Sequence, residues 1–129
     1  MNLNKLKPLS GDASFRKFYR YKNVIIVFSK KDTKKNLLIY DAINKILIKN
    51  KIKAPKLISQ SYKSKYIQIE DFGNLTVYQK LKKNNKNKLS YYKKIIQLLN
   101  LIQKIKTKKI KTFLVSNYKV PKYSKKIIF

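Results

Sequence analysis

The stretch Lys17-Phe-Tyr-Arg-Tyr-Lys-Asn-Val-Ile-Ile-Val-Phe28 decides the fold class of this 129-residue chain. Its first five residues alternate and are rich in aromatics, and its last five are β-branched and apolar. Both compositions suit a pleated, half-buried surface. The Lys22-Asn23 between them has the right length for a tight turn, and Asn tolerates positive φ. Residues 17–21 and 24–28 are therefore expected to pair as an antiparallel hairpin.

Downstream, Ile39, Ala42, Ile43, Ile46 and Leu47 recur at helical spacing, with Lys45 and Lys49 outward. Asp32 or Thr33 is the expected N-cap, Asn50 is a plausible stop, and Pro55 ends any helical possibility. Two short strands follow, at residues 56–59 and 66–70; in the second, Ile67 and Ile69 share a face. Gly73 with Asn74 breaks the chain. A short helix over 76–81 then leads into a polar loop, 82–88. Ser90 is expected to cap a longer helix with Tyr92, Ile95, Ile96, Leu99 and Ile102 on one broad face. From Thr107 the pattern is weak, and the Ile-Ile-Phe at the end reads as a chain stopped in mid-element. The order of elements predicts an α+β fold: a small antiparallel sheet with one packed helix, then the start of a helical region.

Two segments carry chemistry. Leu9-Ser-Gly-Asp-Ala-Ser-Phe15 is a run of small residues opening into a strand. Gly11 lets the backbone turn closely, and successive N–H groups in such a turn can cradle phosphate. Read alone, with a single Gly, the run is more simply an ordinary turn before a hairpin, and it is neither G-x-G-x-x-G nor a Walker A loop. Glu70-Asp-Phe-Gly73 is a strand running into adjacent carboxylates, either a nucleotide-contacting hinge or a solvated strand end. Glu70 and Asp71 are not an acid/base pair, because neighbours on a strand point to opposite faces.

Taken together, the two segments resemble one group of phosphotransferases. Leu9-Ser-Gly-Asp-Ala-Ser-Phe-Arg-Lys-Phe-Tyr-Arg20 resembles the "L-x-G-D-A-S-F-R-x-Y-x-R" opening of bacterial kinases that phosphorylate the anomeric hydroxyl of N-acetylmuramate and N-acetylglucosamine. These kinases belong to the aminoglycoside phosphotransferase superfamily. Ala54-Pro55-Lys-Leu-Ile58 looks like that group's "V-P-x-[IV]-L" step, and Ile67-Gln-Ile-Glu-Asp-Phe-Gly-Asn74 resembles its "L-L-L-E-D-[LF]-G-D" hinge. Thr76 and Leu81 match the "T-L…L" that follows, and Tyr118-Lys-Val-Pro-Lys-Tyr123 is faintly similar to a later "L-P-x-Y".

The resemblance implies a protein-kinase-like N-terminal lobe over residues 1–72, followed over 73–129 by the first helices of an incomplete C-terminal lobe. It implies ATP as cofactor, held by a loop of Ser10, Gly11, Asp12, Ala13, Ser14 and Phe15 over the phosphates. Glu70, Asp71 and Phe72 would give hinge contacts to adenine. The strand over 24–28 would lead to a phosphate-binding Lys paired with an acidic residue on the next helix. Lys30 or Lys31 lies just beyond the expected place, and Asp41 is the only acidic residue on that helix, so this pair departs from the family's pattern. In the complete enzyme a catalytic Asp and the Mg²⁺ ligands lie in the C-terminal lobe. The acidic residues here are Asp12, Asp32, Asp41, Glu70 and Asp71, so nothing after position 71 can act as base or carboxylate ligand. The expectation is an enzyme by family, an ATP-dependent kinase of cell-wall amino sugars, with no catalytic and no metal-binding residues in this chain. The sugar would bind only with the missing lobe.

Composition bounds the alternatives. With 43% hydrophobic residues, ten Tyr and six Phe, the chain is not a disordered polycation. It has no Cys and no His, which removes disulfides, thiolate metal sites and the commonest general base. No apolar run resembles a signal peptide or a spanning helix, so a cytoplasmic location without membrane association is the default expectation. The formal charge of +28 predicts non-specific, salt-sensitive adsorption to polyanions. The runner-up class is a small basic nucleic-acid-binding protein, with Phe18, Tyr19 and Tyr21 stacking bases. Against it, only Arg16 and Arg20 are Arg, and the lysines are spread along the whole chain rather than gathered. Association of the 91–106 helix with a membrane surface is a third, weaker class, because its apolar face suits packing against the missing lobe better.

Overall fold

The computed structural model describes residues 2–9, 15–30, 35–106 and 109–121. The chain divides into two units, one formed by the described residues up to Asp71 together with 109–121, the other by Phe72–Lys106. The stretch after 106, expected to continue the helical region, instead belongs to the first unit.

That first unit is built on a five-stranded antiparallel sheet: β1 (Lys7–Pro8), β2 (Lys17–Tyr21), β3 (Val24–Phe28), β4 (Leu57–Ser61) and β5 (Tyr66–Glu70), in the order β1-β2-β3-β5-β4. Central position explains the unbroken apolar run of β3, where Ile25, Ile26 and Val27 are all buried. Cross-strand partners share a face in an antiparallel ladder. The row Phe18–Val27–Ile67 and the pair Ile25–Ile69 therefore line one face, while Tyr19, Ile26 and Gln68 line the other. The β2–β3 turn differs from expectation in one detail: its left-handed residue is Lys22, at φ 52°, where Asn23 was the expected position. At β4 the register slips between Leu57 and Ser59, leaving Ile58 as an exposed bulge residue.

The helix α1 (Asn36–Lys49) supplies Leu37 to the core cluster of Ile25, Val27, Ile67 and Ile69. Its buried residues are Leu37, Leu38, Asp41, Ala42 and Asn44, whereas Ile43 is exposed. Of the face expected on Ile39, Ala42, Ile43, Ile46 and Leu47, Ala42 is buried, but the inward face is rotated toward Leu37, Leu38 and the acidic Asp41. The N-cap is Lys35, in the left-handed region at φ 54° with no side-chain cap bond. The caps expected at Asp32 and Thr33 lie outside the described residues.

Asp41 explains both the rotated face and the return of the C-terminal stretch. Its carboxylate accepts from the Lys45 Nζ at 2.9 Å and from the Phe113 backbone N–H at 3.0 Å. The Phe113 ring lies 5.5 Å from that of Tyr62 and packs against the core cluster. Around it the chain closes on itself: Ile110 and Tyr118 exchange both backbone hydrogen bonds, at 2.8 and 2.9 Å. The buried Thr112 hydroxyl accepts from the Val115 N–H at 2.9 Å.

The second unit holds α2 (Val77–Lys83) and α3 (Lys88–Gln103), joined through a 3₁₀ turn at Asn85–Asn87. Thr76 begins α2 with a capping box: its hydroxyl accepts from the Gln79 N–H while the Gln79 side chain accepts from the Thr76 N–H. The stretch expected as a polar loop at 82–88 is largely turned, and α3 starts at Lys88, so Ser90 lies inside it rather than at its cap. Among the described residues no helix is long and apolar enough to cross a membrane.

Candidate nucleotide site

The sheet sets the two chemistry-bearing segments at opposite ends of one strand pair. Leu9 still pairs with β2, its N–H donating to the Phe18 carbonyl at 2.9 Å. Lys17 faces Phe28 across the ladder, which brings Phe15, just before β2, and Lys30, just after β3, to the same end of the pair. At the other end Tyr21 faces Val24, and Val24 faces Glu70, the last residue of β5. With about 3.3 Å of rise per residue, the five residues of β2 separate the two ends by about 13 Å.

The expected site residues fare differently. Ser10, Gly11, Asp12, Ala13 and Ser14 lie outside the described residues. Phe15 is 82% exposed, and Lys30 is exposed as well. Preceding it, Ser29 is fully buried and its N–H donates to the Lys65 carbonyl at 2.9 Å, which anchors the end of β3. Glu70 is half-buried, and its N–H donates to the Lys56 carbonyl at 3.0 Å. That amide is therefore engaged on the β4 side. Phe72, half-exposed, is the first residue of the second unit. Among the described residues Lys30 makes no pair with Asp41, which is 2% exposed and holds Lys45 and Phe113; Lys31 lies outside the described residues.

Asp71 has a partner that sequence reasoning missed. Arg20, on β2, donates through Nε to its Oδ2 at 2.5 Å and through Nη2 to its Oδ1 at 2.9 Å, a two-pronged bond across 51 positions. The hydrogen bond to Asp71 raises the Arg20 guanidinium above its already high pKa, desolvation opposing and the charge of Asp71 adding to it. Arg16 does a parallel job at the other end of β2: its Nη1 donates to Asn36 Oδ1 at 2.9 Å and its guanidinium lies over the Tyr40 ring at 4.9 Å. The available signal was composition. In a chain that otherwise uses Lys, two Arg four residues apart mark places where a planar fork is needed.

Three or more acidic, His or Cys side chains do not cluster anywhere among the described residues, so these residues build no multidentate metal site. Comparison with protein families, with curated proteins and with solved structures finds no match.

Proposed function

We propose that the sheet unit is a nucleotide-binding lobe of the kinase-like aminoglycoside phosphotransferase type, most like the anomeric amino-sugar kinases in its motifs. The observation that supports this reading best is the Arg20–Asp71 pair. The last residue of the opening motif and the aspartate of the hinge motif, 51 positions apart, interlock through two hydrogen bonds. The ladder leaves Leu9, Phe15 and Lys30 at one end of β2–β3 and Glu70 at the other. An extended nucleoside triphosphate fits such a layout, with its base toward Glu70 and Asp71 and its phosphates toward the loop and the lysines beside it. Asp71 acts in this reading by fixing the hinge backbone, since its carboxylate is engaged by Arg20.

In a complete enzyme of this type the γ-phosphoryl group of ATP passes to a sugar hydroxyl, with Mg²⁺ held by carboxylate and amide ligands. This sequence has no acidic residue after Asp71. The chain therefore holds nucleotide without the groups for transfer. Of the aromatics in the nucleic-acid reading, Phe18 packs against the core cluster and Tyr40, with ring centroids 6.2 Å apart, which leaves Tyr21 as the exposed ring for stacking.

The test is thermal stabilisation of the chain by ATP in high salt, with polyphosphate as control. ATP at a hundredfold excess over its Kd should add about 2.7 kcal/mol of stability, and replacing residues 10–14 should remove the shift. An equal response to polyphosphate would mean plain polyanion adsorption and sink the nucleotide reading.

A further inference from the structure

The unit Phe72–Lys106 carries nine lysines and no carboxylate. Five of them, Lys80, Lys82, Lys83, Lys86 and Lys88, fall within nine residues at the junction of α2 and α3. Directly after that cluster α3 turns amphipathic. Tyr92, Ile95, Ile96, Leu99 and Ile102 recur at helical spacing on one face, with Leu98 at its edge, while Lys93, Lys94 and Leu101 fall on the opposite side. The face is uncovered: Tyr92, Ile96, Leu99 and Ile102 are 38–57% exposed, and α3 has no buried residue. An apolar stripe of this size marks a contact surface.

Charge decides the occupant. A second copy would set nine lysines against the same nine, with no carboxylate in the unit to relieve them. The partner must be anionic and must also accept a broad apolar face. The positive charge here is all Lys, a compact, strongly hydrated ion without the planar fork that reads a defined carboxylate or phosphate. A polybasic cluster adjoining an amphipathic helix supplies the two signals that hold a protein on an acidic bilayer: attraction to the headgroups and shallow insertion of the apolar face.

We infer that the second unit docks on an anionic lipid surface, with the Tyr92–Ile96–Leu99 face of α3 inserted and the 80–88 lysine cluster over the headgroups. The inference rests on this unit alone and does not use the nucleotide reading of the sheet; for this face it replaces the packing against a further lobe that the family resemblance implies.

The experiment compares the full chain with a variant carrying Ile96→Gln and Leu99→Gln, which keeps the charge and alters two exposed positions. Binding to phosphatidylcholine vesicles with and without phosphatidylglycerol is followed at low and high salt, with Tyr92→Trp as fluorescent reporter in both backgrounds. Both proteins should bind the anionic vesicles at low salt. At high salt the unsubstituted face should stay bound with a blue-shifted Trp emission, while the Gln variant binds at least roughly tenfold more weakly, for the loss of two inserted apolar side chains. If both proteins leave the vesicles at the same salt concentration, only polycation adsorption is at work and the inference fails. Salt-independent self-association abolished by the Gln variant would identify the face as a contact between copies. Saturable high-salt binding to an acidic helical peptide, with none to vesicles, would identify it as a protein groove partner. Either of those results also overturns the inference.

Discussion

At the scale of single residues, two arginines and two aspartates carry most of the specific polar geometry of the first unit. Arg20 reaches Asp71 with both prongs of its fork, and Arg16 links the start of β2 to Asn36 and Tyr40 on α1. A lysine in place of Arg20 keeps the charge but reaches only one carboxylate oxygen at a time. Arg20→Lys should therefore lower the denaturant midpoint, and Asp71→Asn should do the same. Because both remove one shared interaction, the double variant should cost little more than either single one. Equilibrium denaturation of the four proteins measures this cycle, and fully additive losses would show that the two residues act independently. The pair was half legible in the sequence: both residues belonged to quoted motifs, but nothing in local spacing says that positions 20 and 71 meet. Only the ladder β2–β3–β5 brings them together.

At the scale of elements, strands read more clearly than helices, for a physical reason. β2, β3 and β5 have side-chain patterns set by their own neighbours, and the structure places all three at the residues their alternation and apolar runs indicate. The helices are placed by tertiary partners that periodicity does not show. α1 turns Asp41 inward because a backbone N–H from Phe113, 72 residues away, needs an acceptor there. No apolar count could have chosen that face. The same bond explains why residues after 106 return to the sheet although their own pattern is weak. Asp41 is thus a fastener between elements, and Asp41→Ala should leave the Phe113 N–H and the Lys45 ammonium without their partner. The expected cost is about 1–3 kcal/mol of stability, the penalty of orphaning a buried donor. It should come with faster hydrogen exchange at the Phe113 amide and at the Ile110 and Tyr118 amides that close the same loop. Slow exchange retained at those three positions would mean that the Phe113–Tyr62 contact alone holds the stretch.

At the scale of the whole molecule, charge sets the conditions under which everything else can be seen. A formal charge of +28 on 129 residues is self-repulsive in the compact state, and repulsion between exposed lysines is relieved by salt. Carboxylates are too few to relieve it from within: of the five acidic residues, Asp71 is bound to Arg20 and Asp41 to Lys45. The opposing terms behave differently with ionic strength. The Arg20–Asp71 pair is partly shielded from solvent, with side chains 19% and 13% exposed, and loses little to screening. The buried apolar core of β3, β5 and α1 is strengthened by a kosmotropic salt such as sulfate. Relief of repulsion is the largest of these responses to sodium chloride, so the thermal midpoint should rise with it and level off once the Debye length falls to about 3 Å near 1 M. Sulfate at equal ionic strength should raise it further. Scanning calorimetry across a salt series distinguishes the terms. A midpoint that falls with sodium chloride would mean that surface ion pairs outweigh repulsion, which the sequence's scarcity of carboxylates argues against. The slope also calibrates the ligand experiments, since any polyanion stabilises such a chain at low salt. Only a shift that persists on the plateau reports a shaped site rather than neutralised lysines.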